Sequence, residues 1–253
     1  MKGLAVFGAA VAIACAGPPG MVFIPGGDFL RGRSHPNPDA DLAWYPNPLK
    51  DDLPARKVEV SPFYLDESEV TNAQFAAFLA KSGRKPPFYW PGGKPPQSKL
   101  SHPVVNVTWE EAGAYCRAAG KRLPTEAEWE RAARGLAEGQ MYPWGNRAPT
   151  AKDARYDALD GPGPVCQFPK NGFGLCDMAG NVWEWTADWY DRSYYGVAPA
   201  RDPAGPATGL YRVLRGGSWF DQPRFLTNSY RSWARPEERS PTIGFRCARS
   251  FRR

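Results

Sequence analysis

Between Thr71 and Gly135 the chain writes three short helices with one device. Thr71-Asn72-Ala73-Gln74, Thr108-Trp109-Glu110-Glu111 and Thr125-Glu126-Ala127-Glu128 each set a Thr three residues ahead of a Gln or Glu. In such a capping box the hydroxyl accepts the N3 amide hydrogen and the N3 side chain accepts from the cap's own N–H. The first helix is predicted to bury Phe75, Phe78 and Leu79 and to stop near Gly83. The second carries Ala112, Tyr115, Cys116 and Ala119 at helical spacing and ends at Gly120; the third carries Trp129 and Ala133 before Gly135. Beyond Gly135 the text turns to PWGN, DGPGP and PKNGFG, with no long periodic run and no internal repeat of 20–50 residues. MVFIPGGDFLRG, KVEVSPFYLDESEV, VVNV (104–107) and YRVLRGGSW read as strands. With 26 Gly and 27 Pro and no sharp linker, the expectation is one loop-rich α+β domain over 21–253, low in regular secondary structure.

Residues 1–20 read as a leader. Lys2 precedes an apolar run from Leu4 to Ala14, then small residues and Pro18-Pro19. The run is too short to span a bilayer as a stable helix and has the layout of a secretory signal. Ala12-Ile13-Ala14-Cys15 resembles the small-residue box before a bacterial lipoprotein cysteine, so Cys15 is a lipidation candidate; ordinary cleavage near Ala16 is the alternative. Either outcome places the mature protein outside the cytoplasm as a periplasmic, cell-surface or secreted bacterial protein. Cys116, Cys166, Cys176 and Cys247 then form an even set in an oxidising compartment, with three possible connectivities. The ten-residue gap favours a local Cys166–Cys176 clip, which leaves Cys116–Cys247. With His35 and His102 as the only histidines and no C-x-x-C pair, a zinc site is not expected.

The formal charge of +6 is concentrated near the C-terminus. From Arg212 to Arg253 there are ten Arg, no Lys and three acids (Asp221, Glu237, Glu238), so 10 − 3 = +7. A nucleic-acid binder usually mixes Lys and Arg over a broad basic face, so no nucleic-acid partner is expected. Arginines among aromatics suit stacking and bidentate pairing inside a fold.

MVFIPGGDFLRG, FYLDESEVTNAQFAAFL, HPVVNVTWEEAGAYCRAAGKRLPTEAEWERAARG, YPWGN, FPKNGFGLCDMAGNVWEWTADWY, RVLRGGSW and GFRCAR run in order from Met21 to Arg249. Together they resemble the formylglycine-generating enzyme family, or sulfatase-modifying factors. The resemblance implies a C-type-lectin-like variant fold and a Cys116–Cys247 disulfide. Cys166 and Cys176 match no cysteine of the family. The resemblance also implies a structural calcium ion at the segment CDMAGNVWEW, held by the carboxylates of Asp177 and Glu184 and the backbone oxygens of Gly180 and Val182. Hard Ca²⁺ takes six to eight oxygen ligands, which such a loop can supply. A turn cap at Asp177 and an arginine partner for Glu184 are the alternative reading. A second family calcium site is not carried over, because Arg155 stands where a neutral ligand belongs.

Active members of the family bind copper through two cysteines after GGS-aromatic and oxidise a substrate cysteine to formylglycine. Those positions fall here on Asp221 and on Leu226 or Thr227, so the catalytic pair is missing and copper is not expected. The remaining shell implied by the resemblance is a groove of Ser218, Trp219, Asp221, Arg224, Asn228, Tyr230, Arg231 and Trp233. Polar tips on aromatic bodies suit a peptide, a protein segment or a small anionic ligand. The expected function is therefore a binding or accessory protein. One alternative is an enzyme of another chemistry, as in natural-product maturation, with Asp221 or a nearby acid as general base. The other is a formylglycine-generating oxidase acting on sulfatases.

Overall fold

The computed structural model describes residues 17–36 and 50–252. Cys15 and most of the leader lie outside them. Among the described residues no helix is long and apolar enough to cross a membrane.

The three capping boxes form as the sequence dictates. Thr71, Thr108 and Thr125 open α1 (Asn72–Ser82), α2 (Trp109–Ala118) and α3 (Glu126–Arg134), each with the reciprocal bonds present. Gly83 closes α1 in the left-handed region. Phe75 is buried on α1, while Phe78 and Leu79 pack half-buried against the same core. A four-residue helix, α4 (Tyr194–Val197), follows later.

Nine short strands form three small sheets. β1 (Met21–Ile24), β4 (Phe63–Asp66) and β9 (Ala248–Ser250) make one antiparallel sheet in the order β1-β4-β9. β2 (Gly27–Arg31) pairs with β3 (Arg56–Val60). The third sheet runs β7 (Ser232–Ala234), β6 (Arg212–Arg215), β5 (Trp183–Trp189), β8 (Ile243–Gly244), antiparallel except for β5 with β8. The expected strand over 104–107 does not form. Asn106 takes a left-handed conformation (φ 54), and Val104 and Asn106 instead donate singly to the carbonyls of Val70 and Ser240.

One core lies between α1, α2 and the third sheet around Phe75, Trp185 and Phe245; another lies under α3 around Trp129, Phe63 and Leu65. Cys116 bonds Cys247 and Cys166 bonds Cys176. The first disulfide closes 131 residues and ties α2 to the strand entering β9. In the chain-entropy account a closure of that length contributes about 5 kcal/mol.

The C-terminal arginines go inward. Arg212 lies between the rings of Trp109 and Trp189, at 3.7 and 3.4 Å from their centroids. Arg215 and Arg231 reach α3, where Glu126 and Glu130 are fully buried. Glu126 pairs with Arg31 (2.8 Å), Arg231 (2.6 Å) and Arg215 (3.3 Å); Glu130 pairs with Arg134 (2.7 Å) and Arg215 (2.9 Å). Tyr195 Oη donates to Glu130 at 2.9 Å. Burial alone would push the Glu126 carboxyl up, but Arg231, Arg31 and Arg215 hold it down at about 2.

Asp188 of β5 accepts the Glu126 N–H at the start of α3 through Oδ2 (2.8 Å), while its buried Oδ1 has no partner. Burial, with Glu126 and Glu128 adding repulsion and Arg31 opposing it, lifts this carboxyl to about 7. A carboxyl raised on folding stabilises the fold fully below its unfolded value and loses that contribution as pH rises through the folded value. Stability measured by urea unfolding is therefore expected to fall from about pH 4 to pH 7, by up to about 1.4 kcal/mol per pH unit, and to level off above that. Asp188→Asn should flatten that slope. An equally steep slope in the variant would place the titration elsewhere.

Candidate functional site

The GGS turn that carries the expected groove follows β6. Gly216 and Gly217 both have positive φ, and a Cβ on Gly217 would stand 2.7 Å from Leu226 Cδ2 and 3.0 Å from the Phe225 carbonyl oxygen. Glycine thus lets the turn close against the short 3₁₀ turn at Pro223–Leu226.

Asp221, at the first copper-ligand position, is committed to this turn. Its Oδ2 accepts the Ser218 N–H at 3.0 Å and the Ser218 Oγ–H in a short bond. Burial raises its pKa, while the two Ser218 bonds and the Trp183 side chain favour the charged form. The carboxylate is a turn cap, which corrects its expected place in an open groove and leaves it poorly placed as a general base. Leu226, at the second position, is fully buried with Tyr142 and Ala179; Thr227 is buried beside it. All four cysteines of the described residues are in disulfides. Copper chemistry of the family's kind needs thiolate donors, and the residues present here do not fit it.

The eight residues expected to share one groove do not share it. Arg231 is buried in the α3 ion network and also donates to the Asp51 carbonyl at 2.8 Å. Asn228 is buried, with its Nδ2 donating to the Gln140 carbonyl and its own carbonyl accepting from Arg215. Trp233 stacks on Tyr190, ring centroids 4.4 Å apart. Three of the eight, Arg224, Tyr230 and Arg231, line one narrow depression with Arg33, His35, Asp51 and Thr227. Of the expected set only Trp219 lines the more open cleft. That cleft, about 400 Å³, is walled by Tyr89, Pro103, Pro162, Trp219 and Pro241, with Lys99, His102 and Asp160 at its edges. Trp219 is anchored by its Nε1–H to the Pro241 carbonyl (3.1 Å) and by its backbone to Asn181 and Ala158. His102 Nδ1 bonds the Pro162 carbonyl at 2.8 Å, and burial lowers its pKa. Tyr89, His102 and Pro162 were not among the residues expected from sequence, because they come from three separate segments that only the fold brings together.

The expected calcium loop is sharply turned, with positive φ at Asp177 (52), Gly180 (75) and Asn181 (58). A Cβ on Gly180 would meet the Arg155 carbonyl oxygen at 2.4 Å. Asp177 Oδ2 accepts the Cys166 N–H at 2.6 Å. Glu184 departs from the expected ligand role. Arg246 engages both of its oxygens, at 2.7 and 2.8 Å, and Trp129 Nε1 donates to it at 2.8 Å. Next to them Glu69 is fully buried, with Oε1 accepting from Asn181 and its carboxyl hydrogen-bonded to Asp177; burial and the Asp177 charge push its pKa well up. Three buried acids (Glu69, Asp177, Glu184) therefore face one arginine. Glu69 and Asp177 form a buried carboxyl pair whose pKa values burial raises; a cation held by both would take the place of their shared proton, while Glu184 remains with Arg246.

Three small sheets laced by capped helices, two disulfides and buried arginine–glutamate pairs define a loop-built scaffold with one aromatic cleft and no free thiol among the described residues. The sulfatase-modifying factor enzyme 1-like domain matches residues 9–251, and the chain belongs to that family. It is 37% identical to the formylglycine-generating enzyme of Streptomyces coelicolor over 90% of this chain and 88% of that one. It is 36% identical to the inactive C-alpha-formylglycine-generating enzyme 2 of Mus musculus, over 92% and 86%. Among solved structures it is similar to PvdO from Pseudomonas aeruginosa, with a TM-score of 0.74, 31% identity, and 91% and 94% of the two chains covered.

Replacing Asp221 by Ala is expected to lower stability by about 1–3 kcal/mol, because the buried Ser218 N–H and hydroxyl lose their acceptor. Asp221→Asn should retain most of it. Thermal melts of the three proteins check this; an unperturbed Ala variant would mean the carboxylate does not hold the turn.

Proposed function

We propose that this family member is a recognition protein acting outside the cytoplasm, which holds a peptide or small anionic ligand in the Trp219 cleft and does not oxidise it through copper. The carrying observation is the occupation of the copper positions. A turn-capping Asp221 and a buried Leu226 stand there, and every described cysteine is disulfide-bonded. The two disulfides suit an oxidising compartment. The cleft supports the binding side of the reading. Flat apolar walls from Tyr89, Trp219 and three prolines bury a ligand's body, and Lys99 at the edge offers a cation to a carboxylate. The inactive mouse relative is a precedent for a family member described without the activity.

The test has two arms. The protein is incubated with copper, oxygen and a Cys-x-Pro-x-Arg peptide, and aldehyde is sought by mass spectrometry; none is expected, and its formation would overturn the reading. The second arm screens peptides and small carboxylates by indole NMR. A binder is expected to shift the Trp219 resonance and to be lost in Trp219→Ala. Binding that survives that variant would move the site away from the cleft.

We further propose that a structural calcium ion meets the acid excess at Asp177 and Glu69, with backbone oxygens of Gly180 and Val182. When bound, the ion would neutralise the buried acids and fix the loop entering β5. The melting temperature is expected to rise by several degrees on going from chelator to millimolar Ca²⁺, and Asp177→Ala should abolish the rise. Identical melts with and without calcium would remove the ion from the account.

A further inference from the structure

We propose that the outer face of the β1-β4-β9 sheet, with Arg252 beside it, docks on an anionic phospholipid surface. The strand register builds the face. Phe23 of β1 pairs with Tyr64 of β4, and Tyr64 pairs with Arg249 of β9, so these three side chains stand in one row on one side of the sheet. Their neighbours along the strands, Ile24, Phe63, Leu65 and Ala248, point the other way into the core. Phe251 completes the row's apolar end, with ring centroids 5.4 Å from Phe23 and 6.0 Å from Tyr64. Phe23 is 45% exposed, although it is a large apolar residue on a sheet that already has a buried side.

Glu59 lies beside Phe23 and Phe251 but is paired with Arg201 at 3.6 Å, so the unpaired charge beside these rings is positive. Lys121 and Arg122 flank the face but are matched by Asp66 and Glu128. Arg249 and Arg252 are exposed and have no carboxylate partner among the described residues. Half-exposed aromatic rings with unpaired arginines at their edge match what a bilayer interface receives: rings at the headgroup level and cations against anionic lipid.

The first described residues lie against this face. Gly17 packs on Tyr64, where a Cβ would stand 2.7 Å from the ring, and Gly17, Pro18 and Pro19 line one depression with Arg249 and Arg252. Cys15, the lipidation candidate, precedes Gly17 by two residues. Acylation there would hold the protein with this face towards the bilayer and leave its cation–aromatic row as the second attachment.

The proposal is tested apart from the anchor and from the Trp219 cleft. The full chain carrying Cys15→Ser, which removes the acylation site, is sedimented with vesicles of phosphatidylcholine alone or with one-third phosphatidylglycerol. Binding to the phosphatidylglycerol vesicles is expected, weakening with added salt. Arg249→Ala and Arg252→Ala should each reduce it by about fivefold, the effect of roughly one unit of basic charge at such a surface. Phe23→Ser should reduce it without changing the melting temperature. Equal binding to both vesicle types, binding indifferent to the two arginines, or no vesicle binding alongside capture of an acidic protein would each overturn the proposal.

Discussion

Two glutamates on a nine-residue helix hold this protein in register. Glu126 and Glu130 lie one turn apart on α3, are sealed from solvent, and between them pair with Arg31 of β2, Arg134 of α3, Arg215 of β6 and Arg231 just ahead of β7. An unpaired buried charge costs several kcal/mol, so each arginine must arrive for the others to be tolerated. That mutual requirement fixes α3 against two sheets whose own strands are too short to specify their relative placement. It supplies position more than net stability, since a well-packed apolar core can equal a buried ion pair in energy. Asp188, bonded to the first N–H of α3, lies at the edge of the same cluster, where burial and then Glu126 raise its pKa to about 7.

The legible parts of the fold were those written locally. A capping box is a statement about four consecutive residues, and all three were realised with their glycine stops. The ten-residue spacing of Cys166 and Cys176 was likewise a local fact, and the sulfatase-modifying factor family was readable because seven segments kept their order. What local reading missed is non-local. Residues 126, 129, 130 and 133 share one helical stripe, so two glutamates stood among the core positions Trp129 and Ala133. That, beside ten arginines with three acids downstream, was the available signal for a buried network. The strand expected at 104–107 failed because four apolar-rich residues say nothing of the left-handed turn that Asn106 takes.

The groove was legible as a segment and not as a surface. Eight residues within sixteen positions of chain were expected side by side, yet the backbone from Ser218 to Trp233 turns through a 3₁₀ segment and sends them to different places. Arg231 and Asn228 bond inward, Trp233 leaves to stack on Tyr190, and Trp219 alone meets the Tyr89–His102 wall. A list of neighbours in sequence becomes a binding surface only where the chain is extended, and Gly216-Gly217 ensure that here it is not.

The two positions that the family resemblance assigns to metal-binding thiols do not border an empty pocket here. Asp221 turns back on Ser218, and Leu226 joins Tyr142 and Ala179, so both positions have been absorbed into the architecture that once could have surrounded them. A single Asp221→Cys change would therefore supply one thiol of two and take the acceptor away from Ser218. Recovering a two-thiol centre requires the second substitution and a rearrangement of the 223–226 turn, whose backbone already lies against Gly217. The same contacts that hold the turn leave no place for a thiol pair, and the turn they fix carries Trp219 to the cleft wall, where Pro241 anchors its indole.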